Sequence, residues 1–194
     1  MYAVPLVGRH CGLALSGIGE HPLLAAFISF FMENLYTPNC IRLFSGKYFN
    51  PLEPDVDLID IEDIAHGLSM QCRFGGHTTV FYSVAEHCVN VCQMVAPGHQ
   101  LAGLLHDASE AYLLDIPRPI KGNLVGYKEM EDKLMLMIAE KFGFDYPLHR
   151  EVKQCDEIAL KTEWKEVVLA TPKSTMPPGD AKEMFLDLFY SHCR

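Results

Sequence analysis

The sequence predicts an all-α bundle with one small β-hairpin near its N-terminus. Apolar residues recur at helical spacing in one segment after another. Pro and Gly punctuate the chain between those segments. Strand-like runs do not alternate with helices as a parallel sheet requires, and no internal repeat is present. With 194 residues, 49% of them hydrophobic, the chain can bury a sizeable core.

Residues 1–20 read as irregular. Pro22 opens a helix through Leu35 that breaks at Thr37-Pro38-Asn39. That helix is apolar around much of its circumference, which fits either a buried core helix or a subunit contact. Its apolar run, residues 23–32, is far short of the roughly 20 residues a membrane span needs. It also arrives too late for a secretory leader. Residues 1–40 are therefore set apart as an extension with an apolar helix, and residues 41–194 as a single domain.

Residues 41–50, IRLFSGKYFN, read as a hairpin about Ser45-Gly46-Lys47. Asp60 caps a helix running to about Met70, with Ile61, Ile64, Ala65 and Leu68 on one face. Arg73-Phe74-Gly75-Gly76-His77 is a loop whose paired glycines mark a tight turn or a close approach of backbone. Helix resumes near Ser83 with a stripe of Val84, Cys88, Val91, Cys92 and Val95, and ends at Pro97-Gly98. Residues 101–115, LAGLLHDASEAYLLD, read as one amphipathic helix ending before Pro117-Arg118-Pro119. Residues 127–142 form another, with Met130, Leu134, Met137 and Ile138 inward and Gly143 as its stop. Residues 150–164 carry Val152, Cys155, Ile158 and Ala159 toward the core. A loop over 172–179 leads to a last helix, 181–192, with Phe185, Leu188 and Phe189 inward.

The net charge of −9 argues against binding along a nucleic-acid backbone, but leaves a small anionic ligand open. Seven cysteines, an odd number without a regular framework, fit a reducing cytoplasm.

His106 and Asp107 are set into an apolar helical face, where unpartnered charge is disfavoured. A divalent metal would offset it. His87, His106, Asp107 and Asp156 each sit on or beside a buried helical face, and imidazole with carboxylate suits a borderline ion better than a thiolate-selected one. A core histidine satisfied by ordinary hydrogen bonding is the competing reading. Glu110, at i+4 from His106, projects near the same place. It would move a proton, orient a histidine, or form a salt bridge. Asp115, at the helix end, could face the same opening. Arg73, Lys121 and Lys153 could grip phosphate if the fold brings them together. Cys88 and Cys92 read as core packing.

The chain resembles the HD-domain metal-dependent phosphohydrolases, with His87, His106-Asp107 and Asp156 as the signature and Glu110 completing HDxxE. FSGKYF, CRFGGH, FYSVAEH, LLHDASEAYLLDIPRPIK and VKQCD resemble a phage and prophage branch over roughly residues 41–165. The resemblance implies a compact all-helical domain with one divalent metal, Zn, Co or Mn, on His87, His106, Asp107 and Asp156. It implies that Glu110 and Asp115 handle the attacking water or leaving oxygen. Arg73, Lys121 and Lys153 would hold phosphates, and Phe74 would contribute to a wall for the base. The activity it implies is hydrolysis of deoxynucleotide phosphates, first a dATP-like dNTP triphosphohydrolase yielding deoxynucleoside and triphosphate. A 5′-deoxynucleotidase acting on dNMPs and a non-catalytic nucleotide-binding module are the alternatives. The expected partners are a small deoxynucleotide and further copies of the chain, with no stable nucleic-acid or membrane partner. The expected location is the cytoplasm, or the host cytoplasm for a phage-encoded protein.

Overall fold

Short polar side chains, Asp60 and Ser83, cap the first two main helices of the bundle. The computed structural model describes residues 37–170 and 174–193. The expected irregular segment 1–20 and the helix at 22–35 lie outside the described residues.

The hairpin forms from β1 (Ile41–Arg42) and β2 (Tyr48–Phe49), antiparallel, with Ile41 opposite Phe49 and Arg42 opposite Tyr48. Strands this short do not hold by themselves. The Ser45 amide and hydroxyl both donate to the Asp63 carboxylate, each at 2.7 Å, and pin the turn to helix α1 (Ile61–Met70). The Asp60 carboxylate caps α1 by accepting the Glu62 amide at 2.9 Å. Ser83 caps α2 (Val84–Met94) by accepting the Glu86 amide at 3.0 Å. Two short helices follow, α3 (Gln100–Leu104) and α4 (Glu110–Leu113), then α5 (Arg118–Lys121) in the proline-rich turn. The longer helices α6 (Tyr127–Phe142), α7 (Arg150–Glu163) and α8 (Pro178–His192) complete the bundle. A π-helical turn, Trp164–Val168, continues α7. Gly143 closes α6 at φ 78°, a conformation that favours glycine.

Helix α2 is the hub, packing against α1, α3, α7 and α8. One side of it joins the main core with Leu68, Leu104, Leu134, Ile138 and Phe185. Its other side, Val91 and Val95, meets Ala102 of α3 and Val152, Cys155 and Ala159 of α7. His87 lies on this hub and is fully buried. No helix among the described residues is long and apolar enough to cross a membrane.

Two expectations are corrected. The single helix over 101–115 is broken into α3 and α4, with residues 105–109 in turns between them. In a continuous helix the Gly103 carbonyl would accept the Asp107 amide. Here it accepts His106 Nδ1–H instead, at 2.8 Å. The chain then tightens to three-residue turns, Ala108 N–H to Leu105 O at 3.0 Å and Glu110 N–H to Asp107 O at 2.9 Å. Leu104, Leu105, Ala108 and Tyr112 stay buried, so the apolar pattern is right although the backbone is not continuous. Ile158 is 55% exposed rather than inward. The buried stripe of α7 is Val152, Cys155, Ala159 and Glu163, and Ile158 lies one residue off it.

Gly103 gives a test of the α2–α3 contact. A Cβ there would lie 2.9 Å from Val95 Cγ2 and 3.3 Å from Cys92 Cα. Alanine gains up to about 1 kcal/mol of helix propensity over glycine, while overpacking costs about 1–3 kcal/mol. Gly103→Ala is expected to lower stability in urea denaturation; unchanged or higher stability would contradict the packing described.

Candidate metal centre

Two histidines from different elements meet at the middle of the bundle. His87 comes from α2, and its Nδ1–H donates to Glu163 Oε1 at 2.7 Å. His106 follows α3, and its Nδ1–H donates to the Gly103 carbonyl at 2.8 Å. A carbonyl oxygen can only accept, and Glu163 is held in its accepting, charged form. Both rings therefore carry a proton on Nδ1 and turn Nε2 inward. These two Nε2 atoms lie 3.1 Å apart. Two lone pairs at that distance repel, so a cation has to stand between them, either a proton on one ring or a metal ion.

The surroundings supply two more donors. Asp107 Oδ2 lies 3.1 Å from His106 Nε2 and 3.5 Å from His87 Nε2. Asp156 Oδ1, from α7, lies 3.3 Å and 3.9 Å from His87 and His106 Nε2 respectively. Nitrogen and oxygen donors bound at about 2.0–2.2 Å to one ion stand roughly 3–3.5 Å apart. His87, His106 and Asp156 thus gather donor atoms within 4.8 Å of one another, as a divalent ion needs, with Asp107 beside both imidazoles, and imidazole with carboxylate favours a borderline metal. Cys88 places its sulfur within the same group as His106 and Asp107. Burial pushes its thiol up to about 11 against the pull of His106, which keeps it neutral among the core residues of α2.

Charges follow the same arrangement. Burial disfavours the charge of Asp107, but His106, His87 and Arg73 outweigh burial and hold it well below the usual carboxylate range. Burial also opposes the charge of Asp156, and the hydrogen bond from His87 and the charge of His106 win. Glu110 behaves oppositely. Burial, and then the charges of Asp107 and Asp115, push its carboxyl well above the usual range. Its Oε2 has no hydrogen-bond partner, while Oε1 lies 3.3 Å from Lys121 Nζ. A nearby dication would draw that carboxyl back toward ionisation. Burial raises Asp115 as well, against the pull of Arg73.

The remaining residues singled out in the sequence divide into two groups. Lys121 and Lys153 line a cleft of about 760 Å³ that opens on His106 and Asp107, and Lys128 and Lys133 line it too. Lys121 is tied to both Glu110 and Glu131. Arg73 is buried and faces inward, its Nε 3.1 Å from Glu163 Oε2 and its Nη1 3.7 Å from Asp107 Oδ2. The Nε–H does not point at the oxygen, so the first contact is an ion pair without an aligned hydrogen bond. Phe74 stands apart from the lysine cleft, edge-on to Trp164 with centroids 5.6 Å apart.

Three residues not identified from the sequence belong to the site. Glu163 binds His87 and accepts the Tyr82 hydroxyl at 2.9 Å. Gln71 bridges the ends of α4, donating to the Glu110 carbonyl at 2.9 Å and accepting the Asp115 amide at 3.0 Å. Exposed Arg118 reaches Asp156 Oδ2 at 3.7 Å and Glu157 at 2.6 Å. Glu163 had a signal: it falls on the buried stripe of α7, where a carboxylate needs a partner. Gln71 and Arg118 had none, because their contacts cross between elements.

An all-α bundle that gathers histidine and aspartate donors on its buried faces defines the class: a helical protein with a cluster of side chains able to coordinate a divalent metal ion. No family model matches the chain. It is 40% identical over 165 residues to the uncharacterized protein YfdR of Escherichia coli K12, covering 77% of this chain and 93% of that protein. It is 37% identical over 140 residues to the uncharacterized protein RCAP_rcc00048 of Rhodobacter capsulatus, covering 65% of this chain and 71% of that one. The chain belongs to the family of YfdR.

Glu163 offers a direct test of how the histidines are set. In Glu163→Gln a neutral amide replaces the charge that orients His87. Loss of such a partner lowers metal affinity about 10–100-fold. A competition titration against a chromophoric chelator is expected to show that loss with the far-UV dichroism retained; unchanged affinity would show that Glu163 does not set the ring.

Proposed function

We propose that the chain is a metal-dependent phosphohydrolase of the HD-domain type acting on deoxynucleotides, in the first place a dNTP triphosphohydrolase with a dATP-like substrate. The observation that carries this reading is the lysine-lined cleft beside His106 and Asp107. Its volume suits a nucleotide, and four lysines give a polyphosphate positive charge along its length.

His87, His106, Asp107 and Asp156 would hold the ion. A divalent ion held there supplies Lewis acidity toward a phosphoryl oxygen and lowers the pKa of water. Glu110 sits 5% exposed between Asp107 and Lys121, where it can accept a proton from the attacking water or return one to the leaving oxygen. Lys121 holds Glu110 on one side and faces the cleft on the other. Arg73, paired with Glu163 and Asp107, acts on the substrate through the residues it orients. Arg118, 63% exposed beside Asp156, would reach an incoming phosphate by giving up its bond to Glu157.

A second reading, a 5′-deoxynucleotidase acting on dNMPs, has its own observation. Lys121 is bound by Glu131, and Lys128 by Asp132 at 2.9 Å, so carboxylates already occupy part of the lysine charge. A monophosphate needs fewer free cations than a triphosphate.

A hydrolysis screen over dNMPs, dNTPs and NTPs, with Zn, Co or Mn added and products resolved, separates the two. Inorganic triphosphate from dATP is the expected product; orthophosphate from dAMP with inert dNTPs would establish the second reading instead. Nucleotide binding without turnover at every metal would mark a binding module. Asp107→Ala is expected to lose both metal and activity. Glu110→Gln is expected to keep the metal and lose about 10²–10⁴-fold in turnover; near-normal turnover would remove Glu110 from the proton path.

A further inference from the structure

A second cluster of metal-type donors lies outside the site described above. His99, His149 and Glu151 bring one donor atom each to within 4.8 Å of one another. His99 precedes α3 and His149 precedes α7, so each ring stands at the start of a helix. The two imidazoles stack with centroids 4.2 Å apart and planes 9° from parallel. The Glu151 carboxylate is fixed by the Ala96 amide, which donates to Oε1 at 2.8 Å. That bond comes from the turn leading to His99, so the carboxylate and both rings are held from two separate elements.

We propose that His99, His149 and Glu151 form a second divalent-metal site, for zinc or a similar borderline ion, that clips the turn before α3 to the start of α7. The donor set, two imidazoles and a carboxylate, is one that zinc accepts with a further position left to water. Zinc ligands at 2.0–2.2 Å from the ion stand about 3.3 Å apart, and an imidazole binds in its ring plane, so one ring must rotate out of the stack for both lone pairs to converge on the ion. His149 is exposed, and besides the stack on His99 it is held by a long hydrogen bond, Nδ1 accepting the Glu151 amide at 3.3 Å. A ring that gives that lone pair to a metal keeps its other nitrogen as N–H, and the Glu151 amide remains at the first turn of α7, where water can satisfy it.

The position gives the clip a consequence. Chain passes from His99 through α3 directly into His106 and Asp107. From His149 it passes through α7 to Asp156 and Glu163. An ion bridging the starts of α3 and α7 ties together the elements that deliver three of the four donors of the first centre, and that orient the fourth through Glu163. None of the three residues touches that centre, so their removal leaves its donors in place.

The test uses the full chain and ZnCl₂ as the probe. Bound zinc is measured by equilibrium dialysis, and thermal unfolding is followed with and without zinc. His99→Ala, His149→Ala and Glu151→Gln are each expected to bind one zinc fewer per chain than the parent. That difference holds whether or not the first centre fills, so it stands apart from the proposed phosphohydrolase activity. The variants are also expected to lose part of the zinc-dependent rise in Tm while unfolding, metal-free, near the parent temperature. The Glu151→Gln variant separates metal loss from loss of the ring stack, since both rings remain. Parental zinc stoichiometry with a parental zinc-dependent Tm shift in all three variants would overturn the proposal.

Discussion

Two inward-turned Nε2 atoms, 3.1 Å apart in a closed interior, are the constraint on which the rest of the site depends. Neither ring can turn away. Glu163 holds His87 by Nδ1, and the Gly103 carbonyl holds His106 by Nδ1. Moving the proton off either Nδ1 would leave a buried acceptor, Glu163 or the Gly103 carbonyl, without its donor, which costs about 1–3 kcal/mol. The rings are thus oriented before any ion arrives, and the protein carries the cost of keeping two lone pairs and two carboxylates in contact. The same bond that fixes His106 also ends α3, so the break in the helix and the orientation of the donor have one cause.

The charge around this point is unbalanced in a way that makes chemical sense. Asp107, Asp156, Glu110, Asp115 and Glu163 surround it. Arg73 is the one buried arginine or lysine among the described residues, and Glu163 and Asp107 share it. Lys121 is drawn toward Glu110 and Glu131. A dication inserted there would restore balance to the inner carboxylates, and on the proposed function the lysines of the cleft would meet an anionic ligand from the outer side. Glu110, buried with one unpaired oxygen, lies between these two regions.

Much of the fold was legible in the sequence. Asp60 caps its helix as read, and helix resumes at Ser83 as read, because local cap bonds depend on nothing distant. The stripes of α1 and α2 were read correctly because burial on a hub helix follows the 3.6-residue period. The break within 101–115 was not legible, since apolar periodicity records which side chains are buried and not which hydrogen bond a carbonyl accepts. Ile158 was misread because an apolar residue beside a stripe is indistinguishable from one on it until the helix is rotated into its packing. For the site, the four donors stood out as polar residues on apolar faces. Gln71 and Arg118 did not, because their roles are set by neighbours 39 to 44 residues away.

By itself, then, the sequence determined the class of fold, the caps, and the kind of donor atoms available. These follow from local chemistry and from the period of burial. Only the tertiary structure decided that the donors converge, which ring nitrogen each histidine presents, that Arg73 turns inward to Glu163, and that lysines of α6 share a cleft with the donors. Those outcomes depend on how α2, α3 and α7 pack side by side, and packing between elements distant along the chain is information that no single segment carries.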